Sequence, residues 1–123
     1  MKTLTKGTNM SFSDFELIEI KDKMDQYINK IRPEEKMRPE LDIFYKIDKQ
    51  SVEIYEIRQL PGHKRQSMSQ IAKATYIRTG KLWYIFWMRA DEKWHKYEPV
   101  KEVKSIDEFI KVVEEDIYGC FWG

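Results

Sequence analysis

Cationic side chains that could bind an anion are concentrated in two segments of the chain. A loop with the sequence LPGHKRQSM, from Leu60 to Met68, contains a histidine followed by two basic residues. A second segment, LWYIFWMRADEKWHKY from Leu82 to Tyr97, places basic side chains among three tryptophans. Guanidinium and ammonium groups donate charge-assisted hydrogen bonds to phosphate oxygens. The predicted binding residues are therefore His63, Lys64, Arg65, Arg89, His95 and Lys96.

The positive charge of the chain is concentrated around these two segments. The 123 residues carry a formal net charge of +1, yet residues 58–97 contain nine Lys and Arg residues against two acids, Asp91 and Glu92. Residues 1–57 and 98–123 are acidic, with net charges of −2 and −4. This segregation can attract a polyanion, and it also favours docking of the acidic ends onto the basic middle of the same chain.

The aromatic segment has two interpretations. Large aromatic side chains dominate protein cores, and the stretch from Leu82 to Met88 is apolar on both faces, which is typical of a strand covered on both sides. In that case one helix would cover each face and the tryptophans would be buried. The alternative is an exposed platform on which nucleic-acid bases stack while a basic edge contacts phosphates. The platform would use Trp83, Trp87 or Trp94, and the edge would consist of Arg78, Lys81, Arg89 and Lys96.

Catalysis, the third possibility, would centre on His95. A histidine can act as a general base, and three acidic residues on predicted strands could complete a site, namely Asp42, Glu53 and Glu56. Glu56 and Arg58 are two residues apart on one strand, so an ion pair accounts for them more simply. Cys120 lacks a local nucleophile motif, and free cysteine commonly behaves as a small buried hydrophobic residue. The enzyme hypothesis therefore ranks below a binding function.

The sequence predicts no metal or cofactor site. The two histidines are 32 positions apart and the chain has a single cysteine, so the spacing of zinc ligands is absent. The chain also lacks a glycine-rich phosphate loop and a dinucleotide fingerprint. The acidic run Glu114-Glu115-Asp116 is predicted to be a solvated face at a helix end.

Length and composition predict one soluble domain. A chain of 123 residues with 41% hydrophobic residues can bury a single core. Residues 1–11 are predicted to be a disordered tail and residues 12–123 the domain. The sequence has no apolar run long enough to cross a membrane and no signal peptide, and a single cysteine suits a reducing compartment. The predicted location is therefore cytoplasmic.

Two capping boxes predict where helices begin. Ser13 and Glu16 have the spacing at which each side chain bonds to the backbone of the other, and apolar residues then recur at a helical period. Pro33 disfavours helical geometry in the residue before it and should end this helix. Ser105 and Glu108 repeat the box and predict a second helix.

Between the helices, alternating apolar and polar residues predict consecutive antiparallel strands. These strands cover residues 41–47, 52–59, 71–78, 82–88 and 94–97, with residues 60–68 as the longest loop and Pro99 closing the sheet. The alternation slips between Ile54 and Tyr55, which indicates a β-bulge or two partly covered faces. The fold class is α+β, with an antiparallel sheet of four to five strands in meander order, flanked by an N-terminal and a C-terminal helix.

Several elements occur in an order that resembles a known family. A Glu-x-Arg strand end is followed by Thr-Gly-Lys-Leu-Trp, a Trp-containing strand, a Trp-His-basic-Tyr element and a terminal Phe-Trp-Gly. The matching residues are Glu56, Arg58, Trp83, Trp87, Trp94, His95, Tyr97, Phe121, Trp122 and Gly123. From about Ile20 to the end, the chain resembles an uncharacterised bacterial family, domain of unknown function number three thousand and twenty-four. Many relatives carry a Pro- and Trp-rich loop where residues 60–68 have neither Trp nor a second Pro. The resemblance implies no activity.

The C-terminal Phe-Trp-Gly has two interpretations of its own. Folding back onto the sheet would fix a tail that otherwise frays, and this interpretation is favoured. Projection as an aromatic anchor for a partner protein is the alternative, because buried tryptophan often dominates an interface.

The sequence as a whole predicts a non-catalytic binding or protein-interaction module, with a partner protein or a second copy of the chain as possible ligands. The first alternative is a nucleic-acid-binding protein that uses the basic aromatic middle segment. The second is an enzyme with a site around His95 and the strand carboxylates.

Overall fold

The secondary structure confirms the predicted α+β class. The computed structural model describes residues 11–60, 62 and 65–123, which form two α-helices, a six-stranded sheet and two short 3-10 turns. The helices are α1 (Asp14–Ile31) and α2 (Ile106–Glu115). The strands are β1 (Leu41–Asp48), β2 (Ser51–Gln59), β3 (Gln66–Ile77), β4 (Leu82–Met88), β5 (Trp94–Lys96) and β6 (Glu102–Val103). In the part of the chain that the structure describes, no helix is both long and apolar enough to cross a membrane.

Helix α1 begins where the capping box predicts. The Ser13 hydroxyl accepts from the Glu16 N–H at 3.2 Å, and the Glu16 carboxylate accepts from the Ser13 N–H at 2.7 Å. The box satisfies two of the free donors of the first turn. Arg32, which precedes Pro33, has an extended ψ of 142°, so the helix ends there. The buried side chains of the helix are Ile20, Met24, Tyr27 and Ile28.

Helix α2 begins at a cap that differs from the prediction in one hydrogen bond. The Ser105 hydroxyl accepts from the Glu108 N–H at 3.2 Å. The Glu108 carboxylate reaches back to the N–H of Lys104, at 2.8 Å, rather than to that of Ser105. Phe109 and Val113 are fully buried on the inner side of the helix.

Both helices pack on the same face of the sheet. Ion pairs join α1 to α2, Lys23 to Asp107 at 3.5 Å and Lys30 to Glu114 at 2.6 Å. The buried residues of both helices share one hydrophobic core with the inward residues of the strands. The prediction of one helix on each face is therefore wrong. Strand β4 is apolar on both sides, so its pattern does not reveal which side the second helix covers.

The sheet is an antiparallel meander in the order β1-β2-β3-β4-β5, with β6 also paired to β4. Strand β3 begins at Gln66, so residues 60–68 are not a loop throughout, and the predicted start at Ile71 is wrong. The added residues pair with β2 through the backbone, and polar side chains suffice at the end of a sheet. Pro99 does not close the sheet either. It lies in a 3-10 turn, and β6 follows it.

The irregularity predicted in β2 is a β-bulge in its pairing with β3. Ile54 pairs with Ala72, whereas Tyr55 pairs with Gln70, so Ile71 is the extra residue. Because the extra residue belongs to β3, the alternation along β2 is preserved. Ile54 therefore faces the helices and Tyr55 faces the other side of the sheet.

The C-terminal tail folds back onto the protein. Phe121 is 6% exposed, and its ring centroid lies 4.8 Å from that of Tyr97. The Asp116 carboxylate accepts from the backbone N–H of Phe121 at 3.0 Å and from that of Trp122 at 2.8 Å. The tail thus docks on its own domain, as favoured from the sequence. Asp116 binds the tail and is not part of a solvated face.

An ion pair lies at the start of the edge strand β1. The Arg32 guanidinium donates to both carboxylate oxygens of Asp42, at 2.9 and 2.7 Å, and Asp42 also accepts from the Ile43 N–H at 2.8 Å. These contacts, above all the hydrogen bonds from Arg32, hold the pKa of Asp42 below its usual range. A charged side chain that engages a backbone donor of an edge strand discourages pairing with another chain.

We expect Asp42→Asn to destabilise the fold more strongly at neutral pH than in acid. The folded pKa of Asp42 is depressed, so its stabilisation is present above the unfolded value of about 3.9 and decreases as the pH falls from there through the folded value. Urea denaturation should show a loss of about 1–2 kcal/mol at pH ~7 and a smaller loss at pH ~3. A loss that is equal at both pH values would contradict the role of this ion pair.

Candidate binding surface on strands β4 and β5

The two faces of the sheet differ in what covers them. Trp83, Ile85 and Trp87 of β4 point towards the helices and belong to the core or pack against it. Tyr84 and Phe86 alternate with them and point to the opposite side. We call that side the open face, because within the described residues no helix lies on it.

On the β4–β5 half of the open face, three aromatic rings are contacted by lysine ammonium groups. The Nζ of Lys96, on β5, lies 4.5 Å from the ring centroid of Tyr84. The Nζ of Lys73, on β3, lies 4.8 Å from the centroid of Phe86 and 5.1 Å from that of Trp94. All three rings are half-buried, and desolvation lowers the pKa of Lys73. We call these five residues the open-face cluster. They are held together by cation–π contacts.

The β1–β2 half of the open face is internally paired. The rings of Phe44 and Tyr55 stack with centroids 5.1 Å apart, and the Nζ of Lys46 lies 5.0 Å from the Tyr55 centroid. The Tyr55 hydroxyl donates to Glu53, whose carboxylate belongs to a residue only 8% exposed. Glu53 is also the cross-strand neighbour of Lys73, so its carboxylate opposes an anionic ligand on both halves of the open face. The β4–β5 half suits such a ligand better because it also carries Lys96 and borders Arg89.

A small cleft on the other side of β5 gathers cationic residues of the β4–β5 hairpin. Its volume is about 180 Å³. We call it the hairpin cleft, and it is lined by Trp87, Arg89, His95, Lys96, Tyr97, Glu98, Pro99 and Cys120. Three of the six predicted binding residues, Arg89, His95 and Lys96, are therefore brought together. Lys96 also belongs to the open-face cluster, so the cleft and the cluster form one continuous surface.

Arg89 is a cation in the hairpin cleft that is available to bind an anion. Its guanidinium carbon lies 5.4 Å from the ring centroid of Trp87. Within the described part of the chain, no carboxylate forms an ion pair with it. A cation–π contact with the ring leaves the N–H groups of the guanidinium available to an anion.

His95 is oriented by a carboxylate, as the enzyme hypothesis requires. Its Nε2 lies 2.8 Å from Oδ2 of Asp91, and this hydrogen bond is the main cause that holds the pKa of Asp91 below its usual range. Cys120 lines the same cleft, but its thiol points to the Tyr118 carbonyl oxygen at 4.0 Å, and burial raises its pKa. A thiol with a raised pKa is a poor nucleophile at neutral pH. The geometry therefore supplies an oriented histidine without an activated nucleophile.

Of the three other predicted binding residues, the structure describes only Arg65. His63 and Lys64 lie outside the described residues. Arg65 is exposed just before β3, where its carbonyl oxygen accepts from the Leu60 N–H at 3.3 Å. In a meander, the β2–β3 and β4–β5 turns lie at the same end of the sheet, but Arg65 does not line the hairpin cleft.

Some tryptophans of the aromatic segment fit the core interpretation and others fit the platform interpretation. Trp83 is 6% exposed and belongs to the core, with its ring centroid 5.1 Å from that of Tyr76. Trp87 is half-buried between the core and Arg89, and Trp94 lies on the open face. Of the predicted basic edge, Arg78 is already bound to Glu16 at 2.9 Å.

The strand carboxylates do not converge into a catalytic or metal site. Asp42 binds Arg32, and Glu53 accepts from Tyr55. Glu56 pairs with Arg58 at 3.3 Å, as predicted. Among the residues that the structure describes, no group of three or more His, Cys, Asp or Glu residues could hold a metal ion.

The sequence did not predict a second cleft, of about 350 Å³, between the first turns of both helices and the β3–β4 hairpin. Its walls come from three separated segments, so no local pattern could have revealed it. Phe12, Tyr76 and Trp83 form its aromatic side, and the acidic Glu19 and basic Lys81 both lie at its margin. This mixture of charges gives it no evident preference for an anion or a cation.

Comparison with known proteins places the chain in a family without assigning it a role. A family model described as a domain of unknown function, DUF3024, matches residues 12–123. The chain matches none of the curated proteins and none of the solved structures with which it was compared. The match includes both helices, the whole sheet and the docked tail. The chain therefore belongs to the DUF3024 family of domains of unknown function.

Proposed function

We propose that this protein is a non-catalytic binding module that binds an extended anionic ligand along strands β4 and β5. The observation that carries the proposal is Arg89, whose guanidinium carbon lies 5.4 Å from the Trp87 ring centroid and which has no ion-pair partner within the described residues. It lies in a cleft with His95 and Lys96, and Lys96 connects that cleft to the open-face cluster.

The size of the hairpin cleft favours an extended ligand over an enclosed one. Sites for drug-sized molecules have volumes of about 300–1,000 Å³. The hairpin cleft, at about 180 Å³, has room for one small anionic group such as a carboxylate or a phosphate. The remainder of the ligand would then lie across β5 on the open face, beside the two lysines of the open-face cluster.

The chemistry of the cleft favours binding without reaction. His95 is held by Asp91, and the thiol of Cys120 has a raised pKa, so no activated nucleophile faces the histidine. The proposed compartment is the cytoplasm, since a lone half-buried cysteine suits a reducing environment.

We expect Arg89→Ala to weaken binding of anionic chains by about tenfold. The test is fluorescence anisotropy with two labelled probes of about twelve units, an oligo-glutamate peptide and oligo-deoxythymidine, at ~50 mM NaCl. Lys104→Ala removes the same charge at an exposed site outside both the open-face cluster and the hairpin cleft, and serves as the matched control. Arg89→Lys keeps the charge but loses the guanidinium fork that can donate two hydrogen bonds to one anion, so it should weaken binding by an intermediate amount.

Two results would contradict the proposal. One is that neither probe binds at low salt. The other is that Lys104→Ala weakens binding as much as Arg89→Ala, because binding would then depend on total charge and not on this surface.

A further inference from the structure

We infer that the ligand of this surface is single-stranded nucleic acid, an inference that rests on the proposed function and narrows it. Bases would stack on the rings of the open-face cluster, and the phosphates would contact its lysines and Arg89 in the hairpin cleft. The carboxylates of an acidic peptide would also pair with these cations. Such a peptide, however, has no planar group to stack on the three aromatic rings, whereas the bases of a nucleic acid do. The rings therefore favour nucleic acid over an acidic peptide.

The spacing of the rings suits one base per ring. Tyr84 and Phe86 are two residues apart on one strand, so they stand about 6.8 Å apart along it. That is about twice the ~3.4 Å rise per nucleotide of a stacked strand. Bases bound there would therefore be separated from one another and stacked on protein, which a duplex cannot do. Trp94 lies on the neighbouring strand, and Lys73 contacts both it and Phe86.

The cations are already positioned beside the rings. Each ring has an ammonium group 4.5–5.1 Å from its centroid. An arriving base would take the place of a lysine on the ring face, and the displaced ammonium could bind the adjacent phosphate. A cation–π contact at a partly exposed site is weak compared with stacking of a base, which strengthens binding by about 5- to 150-fold per base. Replacing the lysine on the ring face by a base should therefore strengthen binding.

Charge complementarity continues around the edge of the sheet. Strand β5 is three residues long, and its side chains alternate between the open face and the hairpin cleft. A strand of nucleic acid that crosses β5 from Trp94 would bring its next phosphate to Arg89. The guanidinium there contacts Trp87 and has no ion-pair partner within the described residues.

The experiment compares two substitutions against the same probes. Labelled oligo-deoxythymidine and oligo-uridine of about twelve nucleotides, and the oligo-glutamate peptide, are titrated at ~50 and ~300 mM NaCl. Trp94→Leu keeps an apolar side chain but removes the stacking surface, and we expect it to weaken oligonucleotide binding about tenfold at both salt concentrations. Arg89→Ala should reduce the salt dependence by about one phosphate contact. Phe44→Leu, on the internally paired half of the open face, is the control and should change the affinity less than twofold. Circular dichroism verifies that each variant is folded.

The outcomes separate this inference from the function on which it rests. Saturable oligonucleotide binding that Trp94→Leu weakens supports both. Binding of the oligo-glutamate peptide with sensitivity to Arg89→Ala, but no oligonucleotide binding, would overturn the inference and leave the binding module intact. Oligonucleotide binding that Trp94→Leu does not change would also overturn the inference, since phosphate contacts alone would explain it. No binding of either probe would overturn both.

Discussion

Replacing Phe121 with alanine is expected to lower the free energy of unfolding by about 3–5 kcal/mol. The side chain is 6% exposed and packs in the main core, with its ring against Tyr97 at a centroid distance of 4.8 Å. Truncation removes the transfer free energy of a phenyl ring and leaves a cavity. For a domain of this size, the melting temperature should fall by on the order of 10–20 °C.

Tyr118→Ala is the matched control for this prediction. The Tyr118 side chain is three residues before Phe121 in the same tail but is 68% exposed. Its removal should change the free energy of unfolding by less than about 0.5 kcal/mol. If Phe121→Ala changed the melting temperature as little as Tyr118→Ala, the C-terminal tail would not be docked in solution.

Asp116→Ala is expected to lower the free energy of unfolding by about 2–4 kcal/mol through a different mechanism. Its carboxylate accepts from two backbone N–H groups, those of Phe121 and Trp122, and hydrogen bonds to a charged group are worth about 1.5–3 kcal/mol each at most. Asp116 also has a φ of 40°, a left-handed conformation that alanine adopts at a cost of about 1 kcal/mol.

Asp116→Asn separates these two causes. Asparagine tolerates the left-handed conformation and keeps one acceptor oxygen, so it should cost about half as much as alanine. Both Phe121→Ala and Asp116→Ala release the same tail. The loss of unfolding free energy in the double variant should therefore be smaller than the sum of the losses in the two single variants. Strict additivity in urea denaturation would show that Asp116 does not act by fixing the tail.

Local patterns predicted the elements of this fold well. Ser13 and Glu16 form the capping box that the sequence indicates, because its hydrogen bonds join neighbouring residues. A β-bulge does lie at the slip between Ile54 and Tyr55, but its extra residue, Ile71, belongs to the partner strand β3. The early start of β3 was missed because Gln66 and the polar residues after it pair through backbone groups, which leave no hydrophobic signature.

The placement of α2 could not be predicted, because strand β4 is apolar on both faces for two different reasons. Trp83 and Ile85 are buried under the helices, whereas Tyr84 and Phe86 are covered by lysine side chains on the open face. The aliphatic stem of a lysine shields apolar surface while its ammonium stays near water. Hydropathy alone cannot distinguish a ring under a helix from a ring under a lysine.

Only the part of the candidate surface that lies within one hairpin could be predicted from the sequence. Arg89, His95 and Lys96 meet because they belong to one hairpin, and hairpin pairing can be inferred from sequence. The presence of Cys120 beside them depends on the docking of the tail, which brings distant parts of the chain together. The role of Asp116 was missed for the same reason. Its carboxylate looked solvated at a helix end, and only the returning tail supplies its donors.

The most direct test of the proposed binding surface is a two-dimensional amide and indole NMR titration with oligo-deoxythymidine and, separately, oligo-glutamate. We predict that the signals that shift belong to Lys73 and to residues 84–97, and that they include the Trp94 indole. The indoles of Trp83, in the core, and of Trp122, in the docked tail, should remain unchanged. Shifts confined to the larger cleft or to the β1–β2 half of the open face, or no shifts with either probe, would contradict a binding function for strands β4 and β5.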